Sequence, residues 1–394
     1  MGRTVCIFPA DPLAYSVAKG EIKLRYWNPD DLFDEVHVFT QACDRDVPPE
    51  ALQRAAGRAK LIVHHVGEYH YFPRPTAWRT IVREASARVR TIAPDLLRGF
   101  GPFFKGYLAV AVARRLGLLS VISLHGHYDL DVRLLLRRRR AWREYAVMQF
   151  TRFTMEPYTV RHADRVICAY RFPEDYARRY GARPEKIRVI YNRVYLDAFR
   201  PREGPRPPGP LRVLCVGRQL PEKNQGTLVR ALVGLEAHLT LIGDGEEHEA
   251  LVALSRSLGL QGRVRFIRAV PHAEIPRHYQ EADVFAIPIR YGGVCIPVLE
   301  AIASGLPVVV PEPLFEPEPE VVGNVALVVP NTPQGFHDAL RRLQEDPALR
   351  ESLGAKGRQR ALEIDGARME EMERDLYLEL MAAGTPGRPA GRGA

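Results

Sequence analysis

Lysine is scarce in this chain of 394 residues: 7 Lys stand against 49 Arg. Positive charge is carried almost wholly by guanidinium groups, which stay protonated at any ordinary pH and grip phosphates with two parallel N–H bonds. Cysteine is scarce too. Cys6, Cys43, Cys168, Cys215 and Cys295 form no Cys-x-x-Cys pair and no metal-ligand spacing, which excludes a disulfide scaffold and argues for no metal site. Three of them lie in apolar strand-like runs and read as buried thiols of a reducing compartment. No run approaches the ~20 apolar residues that span a bilayer. The opening MGRTVCIFPADP has too short an apolar stretch for a signal peptide and enters a strand pattern at once. The expected location is cytoplasmic, extending to a peripheral position on the inner face of the membrane. No internal period of ~20–50 residues marks a repeat protein.

What is present is an ordinary globular composition, 46% hydrophobic and 26% charged, on a chain longer than one comfortable core, so two domains are expected. Charge is uneven. Residues 1–200 hold 34 Lys+Arg against 21 Asp+Glu, a net of +13, and the rest holds 22 against 26, a net of −4. A basic first half suits a membrane surface, a phospholipid-linked acceptor or nucleic acid; an Arg-rich composition without functional meaning accounts for it equally well. No nucleic-acid module is recognisable, so no nucleic-acid partner is expected.

Short apolar runs alternate with amphipathic segments, the pattern of α/β layers around parallel sheets. Strands are expected at Thr4–Phe8, Glu35–Phe39, Lys60–His64, Leu119–Leu124, Arg165–Cys168 and Ile187–Ile190, with helices such as Phe103–Leu116 and Arg140–His162 between them. Pro and Gly crowd residues 201–210, which read as a linker between a first domain (1–200) and a second (211–365). The second series of strands is Arg212–Val216, Leu239–Ile242, Val264–Ile267, Val284–Ile287, Val308–Val310 and Ala326–Val329. Two doubly wound domains would hold a ligand at the carboxyl ends of their strands, in the cleft between them. Helical patterns follow over Gln334–Gln344, Pro347–Ile364 and Ala367–Leu380, and residues 384–394 read as a disordered Gly/Pro/Arg tail.

The stretch Val284–Pro311, VFAIPIRYGGVCIPVLEAIASGLPVVVP, is the most informative. An apolar strand runs into a glycine loop (Gly292, Gly293), then a short helix opens at Pro297, carries Glu300 and stops at Gly305. The N-terminus of such a helix, fed by a glycine loop, favours an anion. This segment resembles that of the retaining family 4, or group 1, glycosyltransferases, whose usual form is E-G-F-G-x-P-x-x-E-A-x-A-x-G-x-P-V. The resemblance covers about Lys60 to Arg360. It implies the GT-B fold, in which two Rossmann-like domains face each other across a cleft, and a last helix (366–383) that returns to the first domain. One position departs from the pattern. The family's first glutamate, which contacts the donor sugar, is Gly292 here, and Gly-Phe-Gly reads Gly293, Val294, Cys295. The second glutamate carries over as Glu300, on the nucleotide ribose.

Other sites follow in order. Gly217-Arg218 ends the first strand of the second domain, and Lys223 lies five residues on. The family's G-R-x-x-x-x-K holds the donor diphosphate at this place and stabilises it as leaving group, so Gly217, Arg218 and Lys223 carry over, joined by the backbone of Gly293, Val294, Cys295, Ile296, Pro297 and Val298. Gly243 and Gly245 form a turn after the next strand, where a tight turn and close approach to a nucleotide are both served. Arg268, after FI, is a base- or ribose-side candidate. His125 closes a strand before Gly126, where the family places a histidine facing the donor sugar from the first domain. Lys19 and Gly20 are candidates for the family's close-approach glycine loop after the first strand. Leu134–Arg143 combines Leu, Arg and Trp, a composition for a membrane interface or for a helix with one solvated Arg face.

The resemblance thus implies a retaining, hexosyltransferase-like enzyme that moves a sugar from a nucleotide diphosphate to an acceptor hydroxyl, in cell-surface glycan or glycolipid synthesis. Its expected catalytic residues are His125, Arg218 and Lys223. No metal or other cofactor is expected, and the acceptor is expected to be lipid-linked or membrane-proximal. Two alternatives stand beside it: a non-catalytic relative that binds nucleotide sugar or membrane, and an epimerase or phosphorylase on the same fold.

Overall fold

A computed structural model describes residues 2–18, 22–66, 75–130, 133, 136–137, 140–204, 208–271, 273–290, 295–314 and 319–384. The chain divides into two compact units, Met1–Tyr191 with Met369–Ala394, and Asn192–Arg368.

The first unit is built on seven parallel strands: β1 (Thr4–Phe8), β2 (Glu35–Thr40), β3 (Lys60–His65), β4 (Leu96–Phe100), β5 (Leu119–Leu124), β6 (Arg165–Cys168) and β7 (Ile187–Val189). Their order across the sheet is β3-β2-β1-β4-β5-β6-β7, so the direction of winding reverses between β1 and β4. Alternate residues face opposite sides of the sheet. Cys6, Phe8, Phe39 and Leu97 pack with Ala85, Val89, Leu108 and Val112 of the helices Pro75–Ile92 and Phe104–Leu116. Val5, Ile7, Val36, Val38 and Leu96 pack with Trp27, Phe33, Met369, Leu376, Tyr377 and Leu380. The last four belong to the helix Gly366–Ala383.

Strand β4 has no counterpart among the strands expected from the sequence. Its five residues, LLRGF, are all buried, including the charged Arg98. Arg98 stays inside because it forms an ion pair with Glu373 of the last helix, donates Nη2–H to Ser123 Oγ (2.8 Å), and lies over the ring of Phe100 at 4.7 Å. Tyr377 in turn donates its hydroxyl to Glu373 at 2.5 Å. A short run centred on an arginine reads as surface; its partner lies 275 positions further along the chain.

The expected helix Arg140–His162 is two helices, Trp142–Phe153 and Met155–His162. Thr154 leaves helical geometry at φ −123°, ψ −81°. Pro157 explains the break, since it offers no N–H to the carbonyl of Phe153 and its ring crowds that carbonyl.

The second unit holds six parallel strands: β8 (Leu211–Val216), β9 (Ala237–Ile242), β10 (Val264–Ile267), β11 (Val284–Ala286), β12 (Val308–Pro311) and β13 (Ala326–Val329). Their order, β10-β9-β8-β11-β12-β13, reverses between β8 and β11. Residues after Tyr191 already pack with this unit: the Phe199 ring meets Tyr279 edge-on at 5.7 Å, and Arg358 donates to Phe199 O at 2.8 Å. Both sheets are thus Rossmann-like, with a switch point at which ligands sit outside the strand ends. All five cysteines are free thiols, and Cys6, Cys168 and Cys215 are buried. Among the described residues no helix is long and apolar enough to cross a membrane.

Candidate active site

The second unit's switch point is furnished by the loops after β8, β9, β11 and β13. The chain leaves β8 through Gly217 and the exposed Arg218, then turns through the short 3-10 helix Pro221–Lys223. Asn224 follows in the left-handed conformation, φ 54°. This turn is pinned from several sides. Gln219, wholly buried, donates its Nε2 to Gly243 O at 2.7 Å, and its Oε1 meets His248 Nδ1 at 2.8 Å. Gln225 donates to the carbonyls of Gly217 (3.3 Å) and Arg218 (3.0 Å). Asn224 Oδ1 accepts from Arg290 at 2.8 Å, and Asn224 Nδ2 donates to Asn331 Oδ1 at 3.1 Å. Asn331 donates in turn to Ile289 O at 3.0 Å. The loops after β8, β11 and β13 are therefore one hydrogen-bonded rim around Arg218 and Lys223.

Gly243 (φ +131°) and Gly245 (φ +159°) are explained by chain packing. A Cβ on Gly243 would run into the carbonyl of Gly217, and one on Gly245 into that of Gln219. Their lack of side chains is demanded by the neighbouring strand end, whatever approaches from outside. Arg268, after β10, donates to Asp244 Oδ1 (2.8 Å) and Glu249 Oε1 (2.7 Å), so its guanidinium braces the outer side of the same turn.

The helix after β11 runs from Ile296 to Ala303 with Cys295 at its N-cap. It ends at Ser304 and Gly305 (φ +69°), with Leu306 N–H on Ala301 O at 3.0 Å and Gly305 N–H on Ile302 O at 3.1 Å, the glycine-closed helix end read from the sequence. Within Cys295–Val298 the backbone donors are not equal. Pro297 has no N–H, and Val298 N–H is committed to Cys295 O at 3.0 Å. Cys295 and Ile296 begin the helix, the end at which an anion is favoured. The Cys295 thiol is raised by burial, while Lys223 acts in the opposite sense; Lys223 also acts on the buried Cys215, whose thiol burial pushes up to about 12. Lys223 therefore sits within electrostatic reach of the helix start. Glu300 is 6% exposed, and its Oε2 accepts the Tyr279 hydroxyl at 2.8 Å. Burial first, and the Glu300 carboxylate second, hold Tyr279 protonated well above the usual phenol range. The tyrosine fixes the carboxylate as a side chain of the inner wall.

The first unit's switch point opens into a cavity of about 480 Å³. Its wall is drawn from the loop after β1 (Pro9, Asp11), from Gly101 after β4 and from His125 after β5, with Tyr26, Phe100 and Lys105. His125 Nε2 lies 3.3 Å from the Tyr26 hydroxyl, and its ring stacks on Phe100 at 6.2 Å between centroids. Lys105, in the first turn of the helix Phe104–Leu116, is 7% exposed; burial lowers it to about 8, against the opposing pull of Asp44. Lys23 lies over the Tyr26 ring at 5.5 Å. His127 and Asp129, close to His125 in sequence, turn away from this wall. Asp129 accepts from Arg133 (2.6 Å) and Tyr180 (2.8 Å), and Arg133 pairs with the buried Glu156.

Of the residues expected at the site, Lys19, Gly20, Gly292, Gly293 and Val294 lie outside the described residues. Arg218, Lys223, Cys295, Ile296 and Glu300 fall at or beside the second switch point, and His125 at the first. Gln219, Asn224, Gln225, Tyr279, Asn331, Tyr26 and Lys105 were not singled out from the sequence. Gln219 and Asn224 stand inside GRQLPEKN and could have been read there; the others carry no local signal. Among the described residues no cluster of three or more His, Cys, Asp or Glu is arranged to hold a metal ion.

The sequence profile of the glycosyl transferases group 1 matches residues 198–360, and that of glycosyltransferase family 4 matches 31–198. The chain belongs to this family. Among curated relatives, the GDP-mannose-dependent alpha-(1-6)-phosphatidylinositol monomannoside mannosyltransferase of Mycolicibacterium smegmatis is 34% identical over 178 residues, 41% of this chain and 47% of that protein. A D-inositol 3-phosphate glycosyltransferase of Streptomyces bingchenggensis is 25% identical over 88% of this chain and 81% of its own length. The chain spans about half the length of the mannosyltransferase relatives that it matches. Among solved structures, sucrose-phosphate synthase from Thermosynechococcus elongatus superposes with a TM-score of 0.70 at 21% identity, over 97% of this chain and all of that one. A glycosyltransferase from Rickettsia africae gives 0.70 at 13% identity, over 96% and 98%. These likenesses establish the GT-B fold; the family's donors are nucleotide sugars.

Proposed function

We propose that this family member is a retaining glycosyltransferase that transfers a sugar from a nucleotide diphosphate to an acceptor hydroxyl without a metal ion. The observation that carries this reading is the second switch point. The loop that carries Arg218 and Lys223 is pinned there by Gln225 and Asn224, and the helix that starts at Ile296 follows β11, an arrangement that supports reading them as phosphate donors. In the proposed step the bond from the anomeric carbon to the diphosphate oxygen breaks as the acceptor oxygen bonds to the same face of that carbon. The two cations and the backbone donors take up the charge of the leaving diphosphate, and a departing phosphate oxygen receives the acceptor proton. Glu300, held by Tyr279, binds the ribose, and His125 serves the sugar.

The first unit's cavity suits the acceptor. Tyr26 and Phe100 offer ring faces, and Lys105 and Lys23 offer cations for an anionic group. Relatives are named for phosphatidylinositol monomannoside and D-inositol 3-phosphate, which supports a membrane-proximal or phosphorylated polyol acceptor, and a GDP-mannose donor is the first to test. The deciding experiment is thermal stabilisation by GDP, UDP and ADP and their sugar conjugates, with magnesium and with EDTA. Ligand at ~100 times its Kd adds about 2.7 kcal/mol. A shift with one base that survives EDTA is expected; loss of the shift in EDTA would overturn metal independence, and no shift with any nucleotide would overturn the donor assignment.

A second reading, a binding protein without turnover, is favoured by Gly292 where the family has its donor-sugar glutamate. Donor that binds but is never consumed, with turnover appearing in Gly292→Glu, would establish it. Product formed without acceptor, or with phosphate as acceptor, would point to an epimerase or phosphorylase.

A further inference from the structure

The exposed Trp and Phe side chains of the described residues are concentrated on one helix. Trp142 (57%), Phe150 (45%) and Phe153 (78%) all belong to Trp142–Phe153 in the first unit. Helical spacing puts them on a single stripe together with Ala146 and Gln149, while Val147, Met148 and Thr151 face the core. Exposed Arg137, Arg140 and Arg143 precede or flank the stripe, and Arg152 borders its other side, 3.9 Å from Asp129. Scattered apolar residues on a surface need no explanation, but a contiguous aromatic stripe edged by guanidinium groups does.

The stripe continues inward. The Trp78 ring lies 6.0 Å from that of Phe150 and 6.4 Å from that of Phe104, and Phe104 lines the cavity that holds His125 and Lys105. A track of aromatic rings therefore joins the helix surface to the cavity wall.

We propose that the helix Trp142–Phe153 seats the first unit on an anionic lipid surface, with Trp142, Phe150 and Phe153 in the headgroup–acyl boundary and Arg137, Arg140 and Arg143 on lipid phosphates. Charge complementarity selects this occupant. Residues 1–200 carry a net +13, aromatic rings settle at the membrane interface, and basic side chains at the edge of an apolar helix face add electrostatic attraction to anionic lipid. The inference deepens the membrane-proximal acceptor reading above, and it explains how a headgroup-borne acceptor would reach the cavity while its chains stay in the bilayer.

The test is co-sedimentation of the full chain with vesicles of phosphatidylcholine containing about 30% phosphatidylglycerol, against phosphatidylcholine alone, at about 0.1 M and about 0.5 M salt, where screening lengths differ about twofold. Binding to the anionic vesicles is expected, weakened at least ~10-fold by the higher salt, by omission of phosphatidylglycerol or by Phe150→Ser/Phe153→Ser. Arg140→Gln/Arg143→Gln should lose the salt-sensitive part and keep the rest. Unaltered melting and nucleotide stabilisation show that the variants fold. No binding by the unaltered chain, or equal binding by the Phe150→Ser/Phe153→Ser variant, overturns the proposal; so does a homodimer that the same substitutions dissolve while vesicle binding stays absent. Vesicle binding without any nucleotide stabilisation would leave this surface standing and sink the transfer reading alone.

Discussion

The two units share one strand order, with winding that reverses beside the first strand of each, yet they are furnished in opposite ways. The second unit closes its switch point with backbone: Gly243 and Gly245 let neighbouring chain approach, and amide side chains of Gln219, Gln225, Asn224 and Asn331 stitch the loops. Among the described residues the first unit buries more ionisable groups than the second, where His248, Asp283 and Glu300 are buried. Arg98 with Glu373, Arg133 with Glu156, Lys105, and the stacked His37–His64 pair all sit inside the first unit. A common scaffold thus presents a rigid, donor-rich rim in one unit and an aromatic cavity with strongly placed charges in the other. Buried charge makes the first unit the more sensitive to pH and to single substitutions.

The contrast can be broken most forcefully at Arg98. Arg98→Met removes the cation paired with the buried Glu373, expected to cost about 3–5 kcal/mol. Denaturant unfolding should show the first unit's transition moving early with the second unit's in place; equal movement of both would mean that the pair is not a local device. Arg218→Ala and Lys223→Ala come next. Each should lower kcat by ~10²–10³ with the donor that stabilises the protein, leaving its melting temperature nearly unchanged. Normal turnover in both would remove the diphosphate assignment.

Smaller effects sharpen the comparison. Gly243→Ala forces a Cβ onto Gly217 O at φ +131° and should cost about 1–3 kcal/mol, confined to the second unit. Tyr279→Phe removes the hydroxyl that donates to Glu300 Oε2, at a cost of about 1–3 kcal/mol together with a raised donor KM; an unaltered KM would separate Glu300 from the ribose. The last prediction is a pH profile. His64, 2.8 Å from His37 Nδ1, is lowered from 6.5 to about 4 by burial, with His37, Arg88 and His65 adding to the effect. Between these values the unfolded chain binds more protons than the folded one, so stability falls as pH drops from 6.5 towards 4 and is unaffected by this group above 6.5. Thermal melting across that window should flatten in His64→Phe, and an acid limb of unchanged slope would show that other groups carry it.

Twelve of the thirteen strands were legible because apolar alternation and glycine punctuation are local properties. The helix end at Gly305 was legible for the same reason: a left-handed C-terminal glycine is required wherever a short helix must stop and turn. Arg218, Lys223 and Glu300 were read as members of an ordered motif series, and they fall at or beside the second switch point. Strand β4 was not, because Arg98 looks solvent-facing until Glu373 arrives from the far end of the chain. Tyr279 and Asn331 were equally silent, since the first acts on Glu300 and the second on Asn224 across gaps in sequence that no periodicity bridges. The glycine turn after β9 was seen, but its cause is a carbonyl on the neighbouring strand end.

By itself the amino-acid sequence determined two α/β series, their strand-to-loop boundaries and the family to which they belong, because hydrophobic period, turn chemistry and motif spacing act over a few residues at a time. Only the tertiary structure decided which charges could be buried, that the Val298 N–H is taken by Cys295 O, and that three aromatic side chains share one exposed stripe. Each of these depends on partners brought together by folding, and burying an ionised group or leaving a polar group unmatched costs too much free energy for the outcome to be set by either partner alone.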